Sequence, residues 1–428
     1  MSRFAAVPVF VLLFAAALNA QSAAAPIWDF GAGFYDNLFP SFIVATATVK
    51  SDAEADSKVL GDPVGQILIA VNGGAAKRPL TVRIVADDVM EPAEWKGELA
   101  DGAQTYEVRP QIAWKFKELL KCRQVMPLAL KVTLSSGAWS ETRIKTVTLR
   151  SINDCPTLVA AKEAGGEMSF EVVRWMYAAY VNEDHPCIDT LLKEALKTGV
   201  VDHFDGYQSK DEARVRQQVF AIWKALQVRG ISYSSISTVA ATHEKVLSQQ
   251  VRFLDETVRS EQANCIDGAA LLAAAVRKIG LAPTIVLQPG HAYLAVALDP
   301  EGKTSFGIET TVVGTVSKDK KDKETTYERL KIGWKPFDQA SRDSYEIACS
   351  IGTKALSENL GKFVLRSEPF YQLVDIAKAR AAGLKPLPYN ASDKSVSEPP
   401  AKKKTEELEK LLIGAGAESR PGVDADKK

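Results

Sequence analysis

The chain has 428 residues with 53 basic and 53 acidic side chains, so its formal net charge is zero. That length allows two or three domains, and the balanced charge offers no electrostatic footprint for nucleic acid or an anionic membrane. An apolar fraction of 46% is ordinary for a globular protein.

Arg3 precedes an apolar run from Phe4 to Leu18, followed by the small residues Ala20, Ser22, Ala23, Ala24 and Ala25. This order describes a secretory signal peptide over 1–22. The alternative is a membrane anchor, but the run falls short of the roughly 20 residues a spanning helix needs. No second run is long enough, so the mature protein is expected to be secreted or periplasmic, without stable membrane insertion. In such a compartment cysteines tend to pair. Of the five, Cys122 and Cys155 share a strand-rich region and make the first candidate disulfide; Cys187 and Cys349 are a second candidate pair. Cys265 is then left over.

From Phe42 to Val49, Gln66 to Val71, Leu80 to Val85, Leu128 to Leu134 and Thr142 to Leu149, apolar and polar residues alternate. Turn-formers such as Asn72-Gly73-Gly74 separate these segments. Short strands at this spacing predict an immunoglobulin-like β-sandwich over 27–157. Nothing in it resembles a catalytic cluster.

From about Ala161 the periodicity changes to helical. Helices are expected over Phe170 to Val181, Asp211 to Val228, and Glu244 to about Val258. Asn264-Cys265-Ile266-Asp267-Gly268 then opens an apolar helix, with Asn264 as N-cap and Asp267 capping back. Ala269 to Val276 is apolar on every face, which predicts burial in the domain centre, and Gly280 supplies the left-handed stop. Cys265 thus stands in a first helical turn, where unpaired N–H groups and the dipole favour thiolate. Asp267 opposes this, so a cationic partner is also required.

Pro283 to Gln288 reads as a strand, Pro289-Gly290 as a break, and His291 as the start of a second strand. After Asp299-Pro300-Glu301-Gly302 a third strand carries Phe306, Ile308 and Val312 on one face. Pairing Leu294 with Phe306 and Ala292 with Ile308 matches the apolar faces. It sets His291 directly opposite Glu309 across a three-residue loop, with about 4.5–5.5 Å between Cβ atoms. A further helix is expected over about Asp338 to Ser357, a strand near Tyr371, and a short helix from Asp375 to Ala382. The composition of 387–428 describes a disordered tail.

A cysteine at a helix start with a carboxylate-oriented histidine is what nucleophilic acyl transfer needs. Cys265 is the expected nucleophile, His291 its base and Glu309 the orienting carboxylate. The Cys265 N–H and the Gln262 side chain are candidate oxyanion donors. Taken singly, such a cysteine, histidine or glutamate is more often structural; their joint order carries the reading. His185 lies beside Cys187, but two ligands do not fill a zinc site. With no glycine-rich phosphate loop or HExxH pattern, neither cofactor nor metal is expected.

At these residues the chain resembles the transglutaminase-like (papain-like fold) superfamily, and more closely its bacterial exported branch. The resemblance rests on Cys265-Ile266-Asp267-Gly268, Pro289-Gly290-His291-Ala292 and Glu309-Thr310-Thr311. Gly230-Ile231-Ser232-Tyr233, Ser248 to Phe253 and Asp375 to Arg380 add to it. It covers about Phe170 to Pro386, and places a transglutaminase-like domain over 161–386. The sandwich and tail lie outside it; the whole is an α+β chain, an N-terminal β-sandwich followed by a cysteine-hydrolase domain, and the resemblance implies a thioester acyl-enzyme formed from an amide. Water resolves that thioester in the family's proteases and amidases; an amine does so in its transglutaminases. Glu309 departs from the commoner aspartate. The expected activity is attack on peptide, isopeptide or side-chain amide bonds, with hydrolysis favoured over transamidation. A catalytically inactive envelope-binding protein of the same fold is the alternative. The expected partner is a peptide or protein substrate.

Overall fold

The structure, a computed structural model, describes residues 25–49, 58–73, 77–100, 104–162, 168–234, 241–243, 245–317, 327–329, 339–365, 368 and 370–389. The expected signal peptide over 1–22, and the expected tail beyond Tyr389, lie outside them. The architecture is mixed α+β. Among the described residues no helix is long and apolar enough to cross a membrane.

The first part of the chain builds two sheets. β1 (Ile27–Ala32), β4 (Ile67–Asn72), β7 (Thr105–Arg109) and β3 (Val59–Gly61) form one, in that order. β2 (Asn37–Leu38), β9 (Trp139–Leu149), β8 (Met126–Ser136), β5 (Arg78–Val85) and β6 (Ala93–Leu99) form the other. In β8, Leu128, Leu130, Val132 and Leu134 are buried while their neighbours face outward, the alternation of a strand with one covered face. β4 is buried on both faces along Ile67 to Val71. α2 (Phe116–Lys121) is a short connector.

One expected strand is a helix. Phe42 to Val49 falls largely in α1 (Pro40–Thr46), with Pro40 at a helix start, where its missing N–H costs nothing. A short apolar run does not reveal its period, and packing decides it. The Phe42 ring lies 5.0 Å from Phe34 and 6.1 Å from Trp175.

β10 (Asp154–Lys162) crosses the expected boundary at 157. It pairs with β11 (Met168–Val172) on one side and with β14 (Val246–Gln250) on the other; β13 (Ala241–His243) completes that sheet. This pairing overrides two helix expectations. Phe170 to Val172 ends β11, and a 3-10 helix follows over Arg174–Tyr180. The helix expected from Glu244, a residue outside the described ones, is from Val246 onward β14 and then α5 (Leu254–Ser260). α4 (Glu212–Val228) follows the helical reading, with the Asp211 side chain capping it by accepting from Ala213 N–H, while α3 (Pro186–Lys197) is a helix beyond those expected from the sequence.

α6 (Cys265–Lys278) is buried from Ile266 to Val276. It packs on the sheet β18 (Ser305–Ile308), β17 (His291–Ala297), β16 (Pro283–Gln288) and β21 (Gln372–Asp375), in that order. A two-stranded parallel pair, β12 (Ser232–Tyr233) and β15 (Gln262–Ala263), leads into α6. β19 (Thr315–Ser317) and β20 (Tyr327–Arg329) pair separately. α7 (Gln339–Glu358) lies against β18, and α8 (Leu360–Leu365) and α9 (Ile376–Ala381) close the fold. Leu387, expected to begin the tail, is instead buried: its N–H bonds Ala179 O at 2.7 Å, and its carbonyl accepts from Asn182.

The expected disulfides are not formed; all five cysteines are free. The Cys122 sulfur points at the carbonyls of Gln124 and Arg150, each 3.3 Å away, and Cys155 faces the carbonyl of Pro156. Cys187 sits at the start of α3 and Cys349 within α7.

Candidate active site

Asn264 and Asp267 cap the helix reciprocally. The Asn264 side chain accepts from Asp267 N–H at 2.8 Å, and the Asp267 carboxylate accepts from Asn264 N–H at 3.2 Å. Cys265 is therefore the first residue of a 14-residue helix with a fixed entry, partly open to solvent. Its N–H is among those a helix leaves without an internal partner. Gly280, at φ +84°, ends the segment as expected.

His291 follows a two-residue turn, Pro289-Gly290, in which Gly290 takes φ +69° and Gln288 pairs with His291. The next hairpin differs from the sequence expectation. Leu294 pairs with Ile308 and Val296 with Phe306, so the register is displaced by two residues. The cause is the turn. Asp299 accepts from Lys303 N–H at 3.0 Å and from Thr304 N–H at 2.8 Å, which demands a longer loop than three residues. Because side chains alternate with period two, an even displacement leaves His291 and Glu309 on the same face. They are diagonal rather than opposite.

The two side chains meet nonetheless. His291 Nε2 lies 2.6 Å from Glu309 Oε2. Glu309 follows β18 directly and caps a 3-10 turn over Thr310–Val312; its Oε1 accepts from Thr311 N–H at 2.9 Å and Thr311 Oγ1 at 2.6 Å. Its own N–H donates to Ala348 O of α7 at 2.9 Å. Both carboxylate oxygens are thus committed. The Cys265 sulfur lies near enough to the imidazole to raise its proton affinity.

Electrostatics follow from these contacts. Hydrogen bonds to Cys265 first and Glu309 second push the His291 pKa up to about 10 against the opposing effect of burial. Burial pushes the Glu309 carboxyl up, but His291 and Thr311 more than offset it and hold it below the ordinary glutamate value. A protonated ring between two acceptors is the arrangement the pair prefers.

Of the expected residues, Cys265, His291 and Glu309 are brought together. Gln262 is half-buried in β15, three residues ahead of the sulfur, and its side chain makes no hydrogen bond among the described residues. Three contributors were given no role by the sequence, although Thr311 and Tyr233 fall in stretches that carry the resemblance. Thr311 holds Glu309. Tyr233, 46% exposed on β12, lies close enough to Cys265 and Glu309 to feel both charges. Tyr177 is near enough to Cys265 to feel its charge, and its hydroxyl donates to Gln249 Oε1 at 2.7 Å. A tyrosine reads the same in core or cleft, so only packing distinguishes them.

His185 and Cys187 serve a different end. His185 caps α3 by accepting from Cys187 N–H at 3.1 Å, and its Nε2 is 3.4 Å from Asp255. Burial pushes the Cys187 thiol up, away from nucleophile chemistry. Among the described residues no group of three or more side chains could hold a metal ion. No protein-family model matches the chain, and no curated protein matches it.

Proposed function

We propose that the chain is an exported thiol-dependent acyl-transfer enzyme acting on peptide, isopeptide or side-chain amide bonds, with hydrolysis favoured over transamidation. The reading takes the two N-terminal sheets as a β-sandwich and the remainder, through Pro386, as a papain/transglutaminase-like domain. The observation that carries it is one imidazole 2.6 Å from a carboxylate and close to a helix-start sulfur.

In this mechanism His291 takes the Cys265 proton before substrate arrives, and Glu309 keeps the imidazolium oriented. The thiolate adds to the amide carbonyl, and the oxyanion is met by the Cys265 N–H and the Gln262 amide. His291 then protonates the departing amine as the C–N bond breaks, leaving a thioester. Water, deprotonated by His291, cleaves the thioester and frees Cys265; a primary amine in place of water gives transamidation.

Iodoacetamide alkylation, read at the Cys265 peptide by mass spectrometry, tests the centre. Fast labelling at neutral pH is expected, slowed about 10²-fold or more by His291→Ala, the scale of a lost general base. Slow labelling that His291→Ala leaves unchanged favours the inactive binding protein. A peptide library incubated with and without an added primary amine separates hydrolysis from transamidation.

A further inference from the structure

Asp267 stands two residues after Cys265, in the same first helical turn, and its side chain is fully buried. Burial pushes its carboxyl up, while hydrogen bonds and charge from Arg252 and the Asn264 N–H pull it back towards the ionised form. An ionised Asp267 without compensation sets a negative charge beside the sulfur and works against a thiolate. Arg252, just before α5, supplies the compensation twice over. Its backbone N–H donates to Asp267 Oδ1 at 2.9 Å and its guanidinium Nη1 to Oδ2 at 2.8 Å. These bonds draw the carboxylate into one orientation, and Oδ2 is the oxygen that also caps Asn264 N–H.

We infer that Arg252 is a positioning residue for the Cys265 centre: through Asp267 it fixes the entry of the nucleophile helix and cancels the one negative charge built into its first turn. This deepens the acyl-transfer reading above and rests on it. The guanidinium borders an open polar cavity of about 440 Å³ lined also by Arg123, Asn153 and Glu256, so its outer side is solvated while the carboxylate is not. The other ionisable groups near the sulfur are His291 of β17, Tyr233 of β12 and Tyr177 of the 3-10 helix, with Glu309, just after β18, bonded to His291. None of them bonds Asp267, so the Arg252–Asp267 pair can be altered separately.

The test is the pH profile of Cys265 alkylation in the full chain. Arg252→Met is expected to move the midpoint up by about one pH unit and slow labelling near pH 7 about tenfold, as one unit of pKa requires. Arg252→Lys, which keeps the charge, is expected to stay near the parent. Arg252→Met with Asp267→Asn is expected to bring the midpoint back, a rescue that loss of packing alone does not produce. Should Arg252→Met fail to fold, Asp267→Asn alone serves: it leaves an unopposed cation and is expected to move the midpoint down. A midpoint unmoved by Arg252→Met, a double variant still displaced, or an unmoved Asp267→Asn each overturns the inference. His291→Ala in the same assay separates the two readings. If it does not slow labelling, the acyl-transfer proposal fails, whatever the Arg252 variants do.

Discussion

The glutamate at 309 makes sense once the hairpin register is known. A directly opposite pair would suit the shorter aspartate; a pair displaced by two residues needs the extra methylene to reach the imidazole. Glu309→Asp is therefore expected to lower amide turnover about 10²-fold, the scale of a roughly 1 Å misplacement, with the fold intact by circular dichroism. Glu309→Gln removes the charge and leaves the reach. In the parent, His291 must be protonated to deliver a proton to the leaving amine, so turnover should fall as pH rises through about 10. Losing the carboxylate lowers the ring's proton affinity, and the alkaline limb of kcat/KM should move down towards neutrality in Glu309→Gln. The same protonation has a stability consequence. The folded His291 pKa is raised, so its contribution is fully present below the ordinary value of 6.5 and is lost as pH rises through about 10. The Tm difference between the parent and His291→Ala should shrink across that window.

Glu309 also depends on how two elements approach. α7 crosses β18 with glycine on both sides: a Cβ built on Gly307 would lie 2.2 Å from the Gly352 carbonyl carbon, and one on Gly352 would lie 2.4 Å from Ile308 N. The approach lets Thr353 Oγ1 accept from Gly307 N–H at 3.0 Å and Ala348 O accept from Glu309 N–H at 2.9 Å. Backbone has no rotamer to yield, so Gly307→Ala must push the helix away. We expect it to cost about 3 kcal/mol in urea unfolding, the upper part of the overpacking range, and to reduce Cys265 labelling by misplacing Glu309. Gly137→Ala, where nothing lies within 4 Å of the added Cβ, is the comparison, with its cost limited to backbone strain at φ +59°.

At the scale of the molecule, β10 joins what composition would divide. It belongs to the strand-rich first part by sequence, yet its partners are β11 and β14. Ile152, Asn153 and Asp154 extend the tie: the Tyr180 hydroxyl donates to Ile152 O at 2.9 Å, and Asn153 Nδ2 to Val251 O at 2.9 Å. A fragment beginning at Met168 loses β10, exposing the edges of β11 and β14 and the groups these bonds satisfy. It is expected to show no cooperative thermal transition, whereas a chain ending at Tyr389 should melt like the parent, because Leu387 and its anchors at Ala179 and Asn182 remain.

Local signals sufficed wherever neighbours in sequence were also neighbours in space. The Asn264–Asp267 capping box, the buried run from Ala269 to Val276, the Gly280 stop and the Pro289-Gly290 turn were all readable from residue type and spacing, because each is satisfied within a few residues. The face shared by His291 and Glu309 was legible for the same reason, since strand alternation survives an even displacement. Tertiary structure decided the rest. The register itself was set by Asp299 closing a longer turn, and Val246 to Gln250 became a strand because β10 lay alongside with free hydrogen-bonding groups. Phe42 entered a helix because aromatic neighbours far along the chain received it. The role of Arg252 was invisible because its meaning lies in a contact across 15 residues with a carboxylate that only burial makes consequential. Hydrogen bonds inside a turn are written in adjacent residues, whereas desolvation and strand pairing depend on what the remainder of the chain brings near.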